Sequence, residues 1–310
     1  MNLKYMDGLL GFSVGNAMGF PVVGQKREEL LKNPVLKMVK DDETGIIEGT
    51  WGDDTSLMIA TVDSINNRNC VDLDDMATKY LAYKKHASFT PYNEVFLRDR
   101  SCIEAINKYE EVRSNPESCG VDNLNSVSAL VRVMPLAYYA IEKKLKDYEV
   151  FELVRSVCYI TNINEVSTMA SYMLVRFVMF LLNGKDKFSA YNMIKVVDYS
   201  MFSEDTQRLF GRILNDDISK LTIKDIDSTN SVIPVLESSI WVLLKSENFK
   251  EAIIGAVNLG DKTDSIGALT GGMAGIVYGI GEIPDEWIET LIKKDYLMDI
   301  FEEYSENKYE

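Results

Sequence analysis

An apolar, glycine-rich segment at residues 264–279 is the feature that most constrains the fold of this chain. Its apolar residues follow a helical pattern, and it contains five glycines. Glycine is costly in an exposed helix because it loses much conformational freedom there, but in a buried helix it lets another backbone approach closely. We therefore predict that this segment is a buried helix packed tightly against another part of the chain.

Helical periodicity also recurs along nearly the whole chain. No run of alternating apolar and polar residues indicates a sheet, and no repeat, low-complexity tract or linker divides the sequence. We therefore predict one all-α domain spanning residues 1–310, with the segment 165–183, apolar on nearly all sides, at its centre. The predicted helices cover residues 5–18, 53–62, 72–87, 101–110, 126–143, 149–161, 165–183, 187–201, 231–246, 249–258, 264–279 and 284–304.

Local signals set several of these boundaries. Pro21 should end the first helix, and side-chain oxygens at Asp53–Thr55 should cap the second. Pro135 should kink or interrupt the segment 126–143. Residues 20–52 are predicted to be irregular.

Composition excludes several classes of function. The net charge of −15 argues against general binding of nucleic acids or anionic membranes, because both need a basic surface. No signal-peptide pattern and no stretch of ~18 uninterrupted apolar residues is present, so we expect no membrane span. The four cysteines are scattered, which favours free thiols and a cytoplasmic protein. A single histidine, His86, argues against a histidine-rich metal site.

Two acidic stretches, far apart in sequence, are the strongest candidates for a functional site. Residues 49–56 contain Asp53 and Asp54, and residues 256–267 contain Asp264 and Ser265. Each stretch is predicted to open a helix, where the free amides and the helix dipole stabilise carboxylates. A bound cation is the second explanation, and oxygen ligands suit Mg²⁺ or Mn²⁺ better than zinc. We expect folding to bring the two stretches together as the floor of one site.

The sequence resembles the ADP-ribosylglycohydrolase family in several motifs that occur in the family's order. The motifs cover residues 7–11, 15–19, 49–55, 256–260 and 263–267. The resemblance implies an all-α orthogonal helical bundle with a cleft for ADP-ribose and a two-Mg²⁺ centre that cleaves a glycosidic bond. It also implies that Asp53, Asp54, Asp264 and Ser265 are metal ligands, and that Asp53 and Asp54 act in catalysis.

Departures from the family pattern concentrate in this site. Gly52 replaces a threonine ligand, and Lys262 replaces a ligand aspartate. The ammonium of Lys262 could replace one cation, or the side chain could point to solvent and leave one metal in place. Asp261, one residue away, could substitute if the loop shifts. We therefore expect one ion or none, rather than the family's two.

The same departures leave two functions open. The first is Mg²⁺-dependent hydrolysis of the bond that links ADP-ribose, or a related ribosyl group, to a protein side chain or a small molecule. The alternative is a family member that has lost catalysis and binds a nucleotide-like ligand or a protein partner. Candidate substrate contacts are Asn16, Phe96 and Trp51. Phe96 could line the cleft and Trp51 could stack on a base or sugar, and both could instead serve packing.

Overall fold

The computed structural model describes residues 4–97, 99–123 and 126–306 and contains sixteen α-helices and no β-strand within those ranges, which confirms the all-α prediction. Two isolated backbone bridges, between Asp41 and Ile46 and between Val121 and Asn162, are the extended pairings recorded there. The helices are α1 (Tyr5–Gly19), α2 (Arg27–Lys32), α3 (Asp53–Arg68), α4 (Leu73–His86), α5 (Arg100–Val112), α6 (Pro135–Glu142), α7 (Asp147–Tyr159), α8 (Glu165–Leu182), α9 (Lys187–Ile194), α10 (Glu204–Leu209), α11 (Gly211–Asn215), α12 (Val232–Lys245), α13 (Phe249–Val257), α14 (Thr263–Tyr278), α15 (Asp285–Thr290) and α16 (Lys294–Glu306).

The longer helices lie where the apolar periodicity predicts them, whereas short helices and proline positions differ. Helix α2 lies inside the stretch 20–52 that was predicted to be irregular, and α10 and α11 were not predicted. These three helices have five or six residues each, too few for an apolar period to be visible. The predicted segment 284–304 is divided into α15 and α16.

Pro135 begins a helix instead of kinking one. A short 3₁₀ turn at Leu130–Arg132 precedes it, and Pro135 is the first residue of α6. A proline is well tolerated at that position, because its missing N–H would have no partner within the helix anyway. Of the two outcomes predicted for the segment 126–143, a kink or an interruption, the structure shows the interruption, and the helix is confined to Pro135–Glu142.

Helices α1 and α14 run antiparallel with their backbones in direct contact. A Cβ added to Gly15 would lie 1.9 Å from the carbonyl oxygen of Gly267, and one added to Gly11 would lie 2.4 Å from that of Gly271. A Cβ on Gly19 would also meet the backbone of α14. Glycines four residues apart on both helices therefore form the contact surface. This confirms that the glycine-rich segment is a buried, tightly packed helix.

Helix α8 is a core helix of the bundle. Among the described residues it is the one helix long and apolar enough to cross a membrane, but 83% of that stretch is buried inside the protein. Its side chains pack against the same apolar core as α1, α3 and α14. Burial within the fold therefore accounts for its apolar character.

Replacing Gly15 by alanine should destabilise the protein severely, because the new methyl group would overlap a backbone atom that cannot move aside. We expect a loss of about 3 kcal/mol or more in the free energy of unfolding. Gly272→Ala should cost less, since its Cβ would meet the flexible side chain of Met134 at 2.5 Å. Gly281→Ala, where nothing lies within 4 Å, is the matched control and should be nearly neutral. Urea unfolding of the three variants measures this order, and equal effects would contradict the backbone contact.

Candidate functional site

The first turns of α3 and α14 meet and bring the two acidic stretches together. Asp53 and Asp54 are the first two residues of α3, and Asp264 is the second residue of α14. Carboxylate oxygens of the three lie within 4.8 Å of one another. The hydroxyl of Ser265 donates a hydrogen bond to Asp54 Oδ2 at 2.7 Å. The four residues predicted from the two stretches thus form one cluster, here called the acidic floor.

Asn16 of α1 ties the two helix starts to each other. Its Oδ1 accepts hydrogen bonds from the Gly52 N–H at 2.7 Å and from the Thr55 hydroxyl at 3.0 Å. Its Nδ2 donates to the backbone carbonyl of Asp264 at 3.4 Å. Because Asn16 is fully buried and committed to these bonds, the prediction that it contacts substrate is wrong. It is a positioning residue for the acidic floor.

Lys262 points into the acidic floor rather than into solvent. Its Nζ lies 3.5 Å from Asp264 Oδ1, and its side chain is only 20% exposed. Burial by itself lowers the pKa of Lys262, but the charges of Asp264, Asp54 and Asp53 outweigh that effect and raise the pKa above its usual value. The ammonium group is therefore charged and supplies a fixed positive charge beside the carboxylates.

Asp261 does not take the place of a ligand. Its carboxylate pairs with Lys26 Nζ at 2.5 Å, and its backbone N–H donates to the Gln25 carbonyl at 2.8 Å. Asp261 itself has a left-handed backbone (φ 57°), as does Gly260 before it (φ 83°). These contacts commit the Asp261 carboxylate to Lys26, so the alternative in which a shifted loop brings Asp261 into the acidic floor is not observed.

The carboxylates of the acidic floor are buried close together, which disfavours their charged forms. Burial raises the pKa of Asp53 to about 7, with Lys262 opposing the shift and Asp264 adding to it. Burial also raises the pKa of Asp54 well above its usual value, reinforced by the charges of Asp264 and Asp53. Crowded, desolvated carboxylates of this kind are stabilised by a cation. Three carboxylates and a serine hydroxyl are oxygen donors that fit one Mg²⁺ or Mn²⁺ ion.

A cavity of about 330 Å³ opens above the acidic floor. One wall is apolar and includes Phe20 and Phe96, whose rings meet edge to face with centroids 5.0 Å apart. The structure thus places Phe96 where the cleft was expected. The lining also includes polar residues, among them Asp99, Arg100 and Ser128, here called the polar wall. A cavity with an acidic floor and one apolar and one polar wall suits a ligand with both ring and polar groups.

Trp51 lies outside this cavity. It has no exposed surface, and its Nε1–H donates to the carbonyl of Ile292 at 2.9 Å. The suggestion that Trp51 stacks on a base or sugar is therefore wrong, and its role is to pack the segment before α3 against the C-terminal region.

Asp99 is a wall residue that the sequence analysis did not select. It caps α5, with Oδ1 accepting from the Cys102 N–H at 3.1 Å, while Oδ2 accepts from the Ser126 hydroxyl at 2.7 Å. An aspartate before a predicted helix is most simply a cap. Its position three residues after Phe96, a predicted cleft residue, is a weak indication in the sequence that the loop carrying it borders the site.

Comparison with known proteins gives a consistent result along the chain. The family model described as ADP-ribosylglycohydrolase matches residues 3–309. The chain is 26% identical to ADP-ribosylarginine hydrolase Tri1 of Serratia proteamaculans (strain 568), over 97% of this chain and 78% of that protein. It is 24% identical to ADP-ribosyl-[dinitrogen reductase] glycohydrolase of Rhodospirillum rubrum, over 94% of this chain and 91% of that protein. A solved structure described as an ADP-ribosylglycohydrolase-related protein complex has the same fold, with a TM-score of 0.79 and 20% identity over 98% of both chains.

Asp53→Asn should stabilise the metal-free protein at neutral pH. The folded protein keeps the Asp53 proton up to about pH 7, whereas the unfolded chain releases it near 3.8. Because the folded state binds this proton more tightly, the stability of the wild type falls as the pH rises from about 4 to 7 and stays reduced above that range. The variant should gain roughly 1–3 kcal/mol at pH 7.5 and little at pH 4. Urea unfolding in EDTA at both pH values measures the gain, and an equal change at both would contradict this explanation.

Proposed function

We propose, because the chain belongs to the ADP-ribosylglycohydrolase family, that it hydrolyses the glycosidic bond between ADP-ribose and an arginine side chain of a modified protein. The observation that carries this proposal is the acidic floor beneath the cavity, with Asp53, Asp54, Asp264 and Ser265 in mutual contact range. The relatives named for ADP-ribosylarginine and ADP-ribosylated dinitrogen reductase support a modified protein as substrate.

The four floor residues would hold a divalent cation, with Mg²⁺ or Mn²⁺ favoured by the all-oxygen donor set. When bound, such an ion supplies Lewis acidity that lowers the pKa of water and orients ribose hydroxyls. The protein supports the donors from two sides. Ser265 fixes Asp54 by its hydrogen bond, and Asn16 fixes the two helix starts relative to each other.

Lys262 supports the proposal of a single ion rather than two. Its ammonium already lies 3.5 Å from Asp264 and faces the same three carboxylates that would neutralise a second cation. Attraction between unit charges about 4 Å apart is worth on the order of 4 kcal/mol at an effective dielectric constant near 20. Lys262 is therefore a permanent substitute for one metal charge.

Hydrolysis requires a proton acceptor and an exit for the leaving group. The oxygen of a water molecule bonds to the anomeric carbon, the bond from that carbon to the arginine nitrogen breaks, and the water proton passes by way of a carboxylate to the departing nitrogen. All three floor carboxylates line the cavity, and Asp53 is the most exposed of them, so we assign it this role. Asp54, buried and bonded to Ser265, serves to hold the site in place.

Binding without turnover is the second candidate function. The contact between Lys262 and Asp264 favours it, because a lysine that neutralises the floor leaves less negative charge to recruit an ion. In that case the cavity would bind an ADP-ribose-like small molecule or an ADP-ribosylated protein and would not cleave it. Release of ADP-ribose from an arginine-modified protein distinguishes the two functions, because only hydrolysis produces it.

A cytoplasmic location is part of the proposal. All four cysteines are free thiols, and three of them are buried. Free thiols persist in a reducing compartment, which supports this location.

Activity should depend on Asp264 but not on Asp261, its neighbour three residues earlier. We expect wild-type protein with millimolar Mg²⁺ to release ADP-ribose from an arginine-modified protein, and Asp264→Asn to lower kcat/KM by about 100-fold or more. Asp261→Asn is the matched control, because that carboxylate faces Lys26 and asparagine tolerates its left-handed backbone. Its activity should stay near that of the wild type. Absence of any ADP-ribose release by the wild type would favour binding without turnover.

The number of bound ions should change when Lys262 becomes a ligand. We expect calorimetric titration of the wild type with Mn²⁺ to give one ion per chain, and Lys262→Asp to give two. Lys262→Met removes the charge without adding a donor and should keep the number at one. Two ions in the wild type would show that the Lys262 ammonium does not replace a cation.

A further inference from the structure

Asp99 is a carboxylate on the cavity wall that the proposed mechanism does not use. It lines the same cavity as the acidic floor, from a different part of the chain. Its charge is among those that raise the pKa of Asp53, after burial and the larger effects of Lys262 and Asp264. The charge of Asp99 therefore acts on Asp53 within the cavity.

Two hydrogen-bond partners among the described residues fix the orientation of Asp99, and neither carries a charge. Oδ1 accepts from the Cys102 N–H and Oδ2 accepts from the Ser126 hydroxyl, and both donors are neutral. Within the described ranges, the Asp99 carboxylate forms no ion pair with a lysine or arginine. This includes Arg100, the next residue along the chain. Each carboxylate oxygen can accept a second hydrogen bond, so Asp99 keeps the capacity to bind a donor in the cavity.

A buried network behind Asp99 makes this wall rigid. The hydroxyl of Ser126 contacts that of Ser128 at 3.1 Å, and Ser128 donates to Asn162 Oδ1 at 3.0 Å. The guanidinium of Arg132, fully buried, donates to the Ser128 carbonyl at 2.5 Å and to the Thr161 hydroxyl at 2.7 Å. Asp99 is therefore held in a set position by groups that are themselves fixed, as a recognition residue requires.

We infer that Asp99 is a specificity-determining residue that binds a cationic leaving group, the guanidinium of the modified arginine. The inference rests on the proposed function and adds that the polar wall recognises the arginine end of the substrate. An arginine guanidinium matches a carboxylate in charge and presents several N–H donors to its oxygens. A neutral leaving group, such as a serine hydroxyl, offers no charge to Asp99.

Helix capping alone would not place this carboxylate in the cavity. A cap uses one oxygen and is served equally well by asparagine, which has no charge. Asp99→Asn should therefore keep the cap through Oδ1 while removing the charge. Its Nδ2 takes the position of Oδ2 and can donate to the Ser126 oxygen instead of accepting from the Ser126 hydroxyl. Asp186→Asn is the matched control, because Asp186 caps α9 with Oδ1, accepts the Ser189 hydroxyl and does not line the cavity.

The test compares an arginine-linked substrate with ADP-ribose, which lacks the arginine. We expect Asp99→Asn to lower kcat/KM for an arginine-modified peptide about 10- to 100-fold, mainly through KM, as expected for a lost charge-assisted hydrogen bond. The inhibition constant of ADP-ribose should change less than about twofold, since that ligand makes no contact through a guanidinium. Asp186→Asn should leave both values unchanged, and thermal unfolding should show both variants folded.

Several outcomes would overturn the inference. An equal loss for ADP-ribose would mean that Asp99 supports the whole cavity, and a loss confined to kcat would assign it to proton transfer. Unchanged kinetics would mean that Asp99 serves only as a helix cap. If the wild type binds ADP-ribose without cleaving the peptide, the proposed hydrolysis fails, and calorimetry with the arginine-linked peptide on wild type and Asp99→Asn still decides the recognition. If the wild type binds neither ligand, both proposals fall.

Discussion

The contact between the backbones of α1 and α14 is the constraint on which the rest of the structure depends. Glycines spaced four residues apart let the two helices approach until a single added methyl group would overlap a carbonyl oxygen. At this distance Asn16 on α1 reaches both the segment before α3 and the start of α14. The site is therefore positioned by a packing contact between helices and by one buried amide, and any residue larger than glycine would separate its halves.

The acidic floor lowers the stability of the folded protein. Buried carboxylates that repel each other destabilise the fold, and their raised pKa values record that cost. Lys262 offsets part of it with a positive charge held beside the carboxylates. Lys262 thus changes the chemistry of the site while the family's fold is kept. Function is set by the site and not by the fold.

The apolar and polar walls of the cavity can bind a ligand through different physical interactions. The apolar wall, with Phe20 and Phe96, offers rings against which a flat or apolar part of a ligand can pack. The polar wall is held by the buried network around Arg132, whose terminal guanidinium nitrogens donate to the Ser128 carbonyl and the Thr161 hydroxyl, while its Nε has no partner among the described residues. Rigid support behind Asp99 and the tight helix contact beneath Asp264 mean that both sides of the cavity are fixed before a ligand arrives.

Local periodicity, glycine content and motif order are properties of the sequence alone. They are sufficient to predict the helices with long apolar periods, the buried glycine-rich segment and the pairing of two acidic stretches in one site. The sequence could not determine the inward direction of Lys262, the burial of Trp51 or the role of Asn16. Those depend on which surfaces the helices present to each other, and a side chain with two plausible environments carries no local signal of which one it occupies. Asp99 shows the same limit: the local pattern specifies a helix cap, and only tertiary packing places that cap on the wall of the cavity.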